Sequence, residues 1–366
     1  MKNFPVLVNA GVMLVLLLGG GGMSVYVMAT SEVRTALLKP YPGFDYVNGK
    51  LTSTIEGTYK DELPLKDRSV NLLNAVTLAL FEEGRKGVVV GSAGWLFSAE
   101  EYDWTPRSAQ NLAANIDAIA KTAARLRAWG IGLEIALVPE KADIYATLLR
   151  RPRPEEHIGK YEAIRQMLMA RMVTDVPDLR AVLLAGSTDG DVYFPTDTHW
   201  SVEGAGLAAQ ALAGAFPNLA DVPPAHYALT PQPAVHHDGD LLNFLELGPF
   251  KALLPRTEDE VVPLTASVES AGIDDLLGDG AAAAPDILLV GTSYSANALW
   301  SFEPQLKAAL GKDVLNLAEQ GHGPFVPMAK TLQQIEAGTL HPRALIWEIP
   351  VRYLDDDIRT QEKTAI

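Results

Sequence analysis

The chain has 366 residues, of which 48% are hydrophobic and 20% charged, a composition typical of a globular protein. Its 45 acidic and 30 basic residues give a net charge of −15 at pH 7, which argues against nucleic-acid binding because contact with phosphates requires a basic surface. It has no cysteine, and this excludes disulfides, thiolate catalysis and zinc sites with cysteine ligands.

Residues 4–29 form an almost wholly apolar run preceded by Lys2. The run is long enough to span a membrane, and the alternative is a signal peptide cleaved after Ala29. The anchor is favoured because the run is longer than the apolar region of a usual signal peptide. Both alternatives predict that residues 30–366 lie outside the cytoplasm. The predicted location is the periplasm, with the chain anchored in the inner membrane by residues 4–29.

The next segments predict a linker followed by a folded domain. Residues 31–66 are assigned as an extended linker, because the chain from Lys39 to Leu65 is rich in proline, glycine and tyrosine. Apolar residues at helical spacing and a glycine-rich turn between two short apolar runs indicate the first elements of the domain. These are a helix over 67–81, a β-hairpin over 88–97, and helices over 108–129, 144–149 and 154–172.

Short, continuous apolar runs predict the buried strands of a parallel sheet. They lie at 133–138, 286–290, 314–317 and 344–349. The helices predicted between them cover 202–213, with Ser201 as the N-cap, then 296–310 and 325–335. This alternation predicts an α/β fold with a mainly parallel sheet. Residues 216–284 are rich in proline, aspartate and glycine and predict a looped insertion.

Three side chains at the ends of predicted strands suggest chemistry. Asp197 precedes His199 by two residues, so both face the same side of an extended segment. Ser293 follows the apolar run 286–290 and Gly291, at the edge of the sheet where α/β sites lie. An acid, a base and a hydroxyl are the parts of a hydrolase triad. The alternative is structural, with Ser293 or Ser295 capping the next helix and His199 and Asp197 in a turn.

Two other polar clusters have structural interpretations. The segment His236-His237-Asp238-Gly239-Asp240 has the composition of a metal site, but neighbouring residues of an extended chain point in opposite directions. A turn in the insertion is therefore favoured, and neither a metal nor another cofactor is predicted. Arg150, Arg151 and Arg153 predict a solvated face, and the alternative is a patch that binds a polyanion.

Six short motifs run in order across about residues 60–355. They are GWLF at 94–97, VPEK at 138–141, TDTHW at 196–200, GTSYS at 291–295, GHGPF at 321–325 and WEIPVR at 347–352. In these motifs the chain resembles the alginate O-acetyltransferases of the AlgJ/AlgX/AlgV type. The resemblance implies an SGNH-hydrolase-like sandwich over residues 67–358, with the insertion at 216–284 and a tail at 359–366. Because no carbohydrate-binding domain follows, it implies the membrane-anchored AlgJ form.

The resemblance also implies roles for residues. Ser293 is the nucleophile, His199 the general base and Asp197 the residue that orients it, in the permuted chain order Asp, His, Ser. Further candidates for the oxyanion or substrate site are Tyr294, Asn297, Gly321, His322 and Arg352. The implied reaction is O-acetylation of an exported polysaccharide, such as alginate, through an acetyl-serine intermediate. The implied partners are a membrane-bound O-acyltransferase and other export proteins. A secreted carbohydrate esterase and a non-catalytic scaffold of an export complex are the alternatives.

Overall fold

The computed structural model describes residues 4–29, 34–35, 38–39, 43, 47–62, 66–171, 175–216, 219, 222, 224–255, 258–268 and 286–357. The chain divides into two compact units, residues 1–80 with 246–251, and residues 81–245 with 252–366. The first unit contains α1 (Phe4–Ala29), α2 (Lys50–Asp61) and all but the last residue of α3 (Lys66–Phe81). Helix α1 covers the apolar run 4–29. Within the described part of the chain, no helix has the combination of length and hydropathy needed to cross a membrane.

The linker predicted over 31–66 is wrong over α2. The proline residues that suggested an extended chain, Pro40, Pro42 and Pro64, all lie outside this helix. Asn48 Oδ1 accepts a hydrogen bond from Lys50 N at 3.0 Å and so satisfies a free N–H group at the start of the helix. The end of the predicted domain and the predicted tail at 359–366 lie outside the described residues.

The second unit contains the strands. They are β1 (Val88–Val90), β2 (Leu96–Ser98), β3 (Gly132–Val138), β4 (Tyr227–Pro231), β5 (Val235–His237), β6 (Asp259–Val261), β7 (Leu264–Val268), β8 (Ile287–Val290), β9 (Val314–Asn316) and β10 (Ala344–Pro350). The predicted hairpin is confirmed, with β1 antiparallel to β2. The predicted parallel sheet is also confirmed, with four strands in the order β3–β10–β8–β9. All four carboxyl ends therefore meet at one edge.

The second unit also contains the helices that follow α3 in the chain, and several of them pack on the two faces of this sheet. They are α4 (Ser108–Ala128), α5 (Lys141–Ile144), α6 (Lys160–Ala170), α7 (Leu179–Gly186), α8 (Val202–Ala215), α9 (Asp240–Asn243), α10 (Ser293–Ala296), α11 (Phe302–Leu310) and α12 (Phe325–Glu336). Alternate strand residues enter two separate cores, as the two-residue period of a strand requires. In β10, Ile346 packs in one core with residues of α7, α8 and α11, whereas Leu345 and Trp347 pack in the other with residues of α4, α6 and α12.

Several predicted helices have different bounds. The helix predicted over 154–172 begins only at Lys160, after Gly159 with a positive φ of 74°. The helix predicted over 144–149 is only a short 3-10 turn, Ala146–Leu148, after α5. Of the helix predicted over 296–310, the part from Phe302 is α-helical (α11), whereas α10 ends at Ala296 and Ala298–Trp300 form a 3-10 turn. Ser301, with a φ of 58°, separates this turn from α11. The capping of α8 by Ser201 is confirmed, because its side chain accepts from Gly204 N at 3.1 Å.

The insertion predicted as loops over 216–284 contains regular structure. Strand β4 pairs with β7 and β5 pairs with β6, both antiparallel. The sequence conceals these strands because Pro231 ends β4 and the charged residues of β6 interrupt its apolar pattern. The insertion is consequently able to hold side chains at fixed positions, and two of them contact the residues predicted for chemistry.

Candidate active site

Ser293 occupies a sharp turn at the carboxyl end of β8. The strand ends at Val290, and α10 begins at Ser293 itself. Thr292, rather than Ser293 or Ser295, is the N-cap of this helix, and its hydroxyl accepts from Tyr294 N at 3.4 Å. The hydroxyl of Ser293 is therefore not used for capping and faces His199.

The loop before α8 brings the other two side chains to Ser293. His199 Nε2 lies 2.6 Å from Ser293 Oγ, across a separation of 94 residues. On the other side of the ring, His199 Nδ1 lies 2.6 Å from Asp197 Oδ1, which also accepts from His199 N at 2.8 Å. Asp197 accepts at Nδ1, so the proton of the neutral imidazole is assigned there and Nε2 is left to accept from the Ser293 hydroxyl. The ring of Trp300 stacks on His199 with a centroid distance of 5.2 Å.

The second oxygen of Asp197 is bound by the insertion, a contact that the sequence did not predict. Asp197 Oδ2 accepts from His237 Nε2 at 2.8 Å and from Asp240 N at 2.9 Å. Burial of Asp197 alone would raise its pKa, but the hydrogen bonds from His199 and His237 outweigh burial and hold the pKa well below its usual range. The same bond raises the pKa of His237. Asp197 is thus an ionised acceptor for two imidazoles.

The segment 236–240 fits this role because of its local geometry. His236 and His237 point in opposite directions, as predicted: His237 reaches Asp197, whereas the side chain of His236 is 75% exposed. Gly239 approaches the main chain of Thr196 so closely that a Cβ at Gly239 would lie 2.0 Å from the carbonyl oxygen of Thr196. The only sequence signal for the contact with Asp197 was the density of polar residues in this segment.

A carboxylate oxygen of Asp197, a ring nitrogen of His199 and a carboxylate oxygen of Asp240 lie within 4.8 Å of one another, a spacing at which three side chains could bind one metal ion. Hydrogen bonds already occupy these groups. Asp240 Oδ1 accepts from Thr198 N at 2.8 Å, and Asp197 binds His199 and His237. We interpret this arrangement as a hydrogen-bond network that orients the imidazole of His199. That the site works without a metal stays a prediction.

A buried carboxylate below the serine turn was also missed. Glu348 in β10 is fully buried, and its Oε2 accepts from Thr292 N at 2.6 Å, from Thr292 Oγ1 at 3.0 Å and from Ser295 Oγ at 3.1 Å. Gly291 makes room for it, because a Cβ there would lie 2.4 Å from Glu348 Oε2. Burial raises the pKa of Glu348 to about 7, although the hydrogen bonds from Thr292 oppose this. Glu348 therefore fixes the residues on both sides of Ser293.

We expect Glu348→Gln to lower kcat by about 10- to 100-fold, since one of the acceptor sites facing Thr292 and Ser295 becomes an amide donor. The variant also changes the pH dependence of stability. Between about pH 4.5 and 7 the folded wild type keeps the proton that the unfolded chain has lost, so its free energy of unfolding falls as pH rises, by roughly 3 kcal/mol. Glutamine removes this fall. Urea unfolding at both ends of the range, with steady-state kinetics, measures both effects; a variant with wild-type kcat and wild-type pH dependence contradicts the role.

Two of the predicted binding residues are buried beside the three central side chains. Tyr294 is 2% exposed, and its hydroxyl donates to the carbonyl oxygen of Thr198 at 2.6 Å. Arg352 Nη1 donates to Tyr294 Oη at 3.3 Å, and its guanidinium lies over the rings of Tyr294 and Tyr353. Since Thr198 lies between Asp197 and His199, these contacts favour positioning of the loop over contact with a substrate.

The other candidates lie on neighbouring segments. Asn297 follows α10, and its Oδ1 accepts from Leu299 N at 3.1 Å. Gly321 has a φ of 77°, and His322 Nδ1 lies 2.8 Å from the carbonyl oxygen of Gln320. The start of this segment is held next to the serine turn, because Glu319 N donates to Gly291 O at 3.1 Å. Contact of these residues with an oxyanion or a substrate stays a prediction.

The arginine cluster is only partly solvated. Arg153 has 8% of its side chain exposed and forms ion pairs with Glu140 and Asp143, the latter at 2.6 Å. For Arg153 the predicted solvated face is therefore wrong, because the buried carboxylates near it require a counter-charge. Arg150 pairs with Glu82 and is partly exposed, and Arg151 is exposed over the ring of Tyr102.

Known proteins share this fold and sequence. Residues 88–351 match the family described as SGNH hydrolase-like domain, acetyltransferase AlgX. The probable alginate O-acetylase AlgJ of Pseudomonas aeruginosa is 39% identical over 336 residues, which cover 87% of this chain and 84% of the relative. The corresponding protein of Azotobacter vinelandii is 37% identical over 321 residues, which cover 84% of this chain and 80% of the relative.

Two solved structures are similar. The O-acetyltransferase domain of Pseudomonas putida AlgJ is 35% identical with a TM-score of 0.66, over 74% of this chain and 92% of that chain. Pseudomonas aeruginosa AlgX is 21% identical with a TM-score of 0.51, over 74% of this chain and 67% of that chain, and this likeness concerns the fold alone.

Proposed function

This chain belongs to the SGNH hydrolase-like acetyltransferase family of the AlgJ and AlgX type, and from this premise we propose that Ser293, His199 and Asp197 transfer an acetyl group through an acetyl-serine intermediate. The observation that carries the proposal is the chain of 2.6 Å contacts from Ser293 Oγ through the ring of His199 to Asp197 Oδ1. A hydroxyl, a general base and an ionised carboxylate in this order are the parts needed to activate a serine.

In the first step, Ser293 Oγ attacks the carbonyl carbon of an acetyl donor while His199 Nε2 takes the hydroxyl proton. The C–O bond to the leaving group breaks, and the leaving group takes the proton from His199. In the second step, a sugar hydroxyl attacks the acetyl carbon and gives its proton to His199, and Ser293 Oγ leaves and recovers that proton. Asp197 stabilises the imidazolium in both steps. Main-chain N–H groups near Ser293, and near residues 321–323, are the proposed oxyanion donors.

We propose alginate as the acceptor, because the names of the similar proteins refer to it. The proposed location is the periplasm, and a membrane-bound O-acyltransferase is the proposed donor partner. Anchoring by residues 4–29 and the partner stay predictions. Water and a sugar hydroxyl attack the same acetyl-enzyme. Transfer therefore prevails over hydrolysis only if the sugar hydroxyl reacts faster than water.

The proposal predicts that a brief incubation with an activated acetyl ester places one acetyl group on Ser293. Peptide mass spectrometry of the quenched protein locates it, and Ser295→Ala separates the two serines of the same turn. Addition of mannuronate oligomers should discharge the acetyl group onto the sugar faster than water does, and glucan oligomers should not. Acetate release that no oligomer changes would indicate an esterase, and a chain that acquires no acetyl group would indicate a scaffold.

A further inference from the structure

A buried lysine lies beneath the loop that carries Asp197. Lys141 is the first residue of α5, three positions after the end of β3, and is 1% exposed. Its ammonium nitrogen lies within hydrogen-bond distance of four main-chain carbonyl oxygens. They are those of Leu96 at 2.6 Å, Phe194 at 2.6 Å, Pro195 at 3.0 Å and Asp197 at 2.9 Å. An ammonium group has three N–H donors, and here four acceptor oxygens surround it. The four oxygens therefore surround the ammonium in the way that ligands surround a small metal cation.

The four carbonyl groups join two separate parts of the fold. Three belong to the segment 194–197, which ends at the triad acid, and the fourth belongs to β2. A main-chain hydrogen bond from Leu96 N to Pro195 O at 2.8 Å also joins these parts. Four carbonyl oxygens that converge on one point repel one another and remain unsatisfied unless a positive charge lies between them. The conformation of the loop therefore depends on what occupies this point.

We propose that Lys141 is a positioning residue whose charged ammonium holds the segment 194–197 in the conformation that aligns Asp197 with His199. The inference rests on the proposed function, because alignment matters only if these side chains carry the chemistry. Lys141 touches neither Ser293 nor His199 through a hydrogen bond, and it acts through the main chain of the residue that orients the base. Loss of the charge is expected to shift the segment 194–197 locally while Lys141 stays buried, because exposure of Lys141 to water would restore its ordinary pKa and favour the charged form.

The charge of Lys141 is sensitive to pH near neutrality. Burial lowers the pKa of Lys141 to about 8. Carboxylates on the surrounding elements oppose this lowering, and they are Glu101, Asp197, Asp240 and Asp259. The rings of Trp95 and Phe97 also face the ammonium, at 5.1 and 5.4 Å. Above about pH 8 the neutral amine has two protons for four carbonyl groups and directs a lone pair at one of them. Activity is thus expected to fall as pH rises through about 8.

Stability is expected to change in the opposite direction over the same range. The unfolded chain keeps the proton on Lys141 up to about 10.5, whereas the folded chain loses it near 8. The unfolded state then binds more protons, so the contribution of this group to the free energy of unfolding rises with pH. A purely structural lysine would make activity follow stability. A positioning lysine makes activity fall while the fold is not weakened.

The test measures turnover of p-nitrophenyl acetate and the urea midpoint of the full chain between about pH 6.5 and 9.5. Wild type should lose at least tenfold in kcat with a midpoint near 8, without a matching loss of stability. Lys141→Arg keeps its charge throughout this range, so it should lack this alkaline loss even if its kcat is lower. Lys160→Arg is the matched control: Lys160 is also buried with a lowered pKa, but it binds Glu140 and Asp355, and the loss should persist.

An alkaline loss that Lys141→Arg shares with wild type would overturn the inference, as would wild-type kcat that stays constant to about pH 9.5. If Lys141→Arg does not fold, NMR of the wild type with nitrogen-15 in its lysine side chains replaces it. The Lys141 ammonium must then titrate with the midpoint of the activity, and a lysine that stays charged while activity falls contradicts the proposal. Ser293→Ala is measured in parallel. If Ser293→Ala retains turnover, the proposed function itself is wrong, whereas failure of the Lys141 comparison alone leaves that function intact.

Discussion

Replacement of Ser293 by alanine is expected to reduce kcat for acetyl transfer by about 10⁶-fold, the scale observed when a triad enzyme loses its nucleophile. The reason is chemical, because no acetyl-enzyme forms without Ser293 Oγ. Its fold should be unchanged, because the hydroxyl of Ser293 contacts His199 whereas Thr292 caps the helix. Single-turnover kinetics with an activated acetyl ester, together with the urea midpoint, measure both quantities.

Ser295→Ala is the matched control for this prediction. Ser295 lies two residues after Ser293 in the same turn. Its hydroxyl donates to Glu348 and does not face His199. Its loss removes one of the hydrogen bonds that fix the turn, so a reduction of roughly tenfold or less is expected. Two variants with equal losses would mean that the turn, and not the Ser293 hydroxyl, is what the reaction requires.

Sequence patterns of short range predicted the three central residues. Two residues of an extended segment share a side, which related Asp197 to His199, and an apolar run followed by a glycine placed Ser293 at the edge of a sheet. These patterns are local, so they can be recognised in the sequence without knowledge of the fold. The meeting of His199 with Ser293 depends on the parallel sheet, and the alternation of strands and helices was sufficient to predict that sheet.

The residues that support the site were not predictable in the same way. Glu348 is an acidic residue inside an apolar strand, and its role becomes evident only when the β8–β10 register brings it under Thr292. Lys141 follows a strand as many surface lysines do, and its burial depends on the distant segment 194–197. His237 lies in a segment whose strand pairing the sequence conceals. In each case the role of the residue depends on contacts between segments far apart in the chain. The local pattern of residues does not predict such contacts.

Asp197→Asn is expected to lower kcat by about 10⁴-fold, because an amide cannot serve all four donors that the carboxylate accepts. Oδ1 accepts from His199 N and Nδ1, and Oδ2 accepts from His237 Nε2 and Asp240 N. Whichever way the asparagine is oriented, its NH₂ group faces N–H donors on one side. If that side is the His199 side, the ring takes the tautomer that cannot accept the proton of Ser293. If it is the other side, the contact that holds the insertion is lost, and in both orientations the negative charge that stabilises the imidazolium is absent.

His237→Gln separates these two sides. It removes only the imidazole at Oδ2 and leaves His199 on Oδ1, so a loss of roughly tenfold is expected instead of 10⁴-fold. Stability adds a second readout. Because the hydrogen bonds hold the pKa of Asp197 below its usual range, ionised Asp197 stabilises the fold at neutral pH, and this stabilisation is lost as pH falls through the folded pKa. Asp197→Asn should remove this acid dependence, and His237→Gln should weaken it.

The two variants together test whether the insertion belongs to the site. If His237→Gln matches wild type in kcat and in acid stability, the contact at Oδ2 contributes nothing and the carboxylate acts through His199 alone. If it equals Asp197→Asn in kcat, both imidazoles are needed to hold the carboxylate in place. We expect a result between these two, because the two oxygens of Asp197 have different roles. Oδ1 sets the tautomer of His199, and Oδ2 is held by the insertion and so fixes the position of the carboxylate.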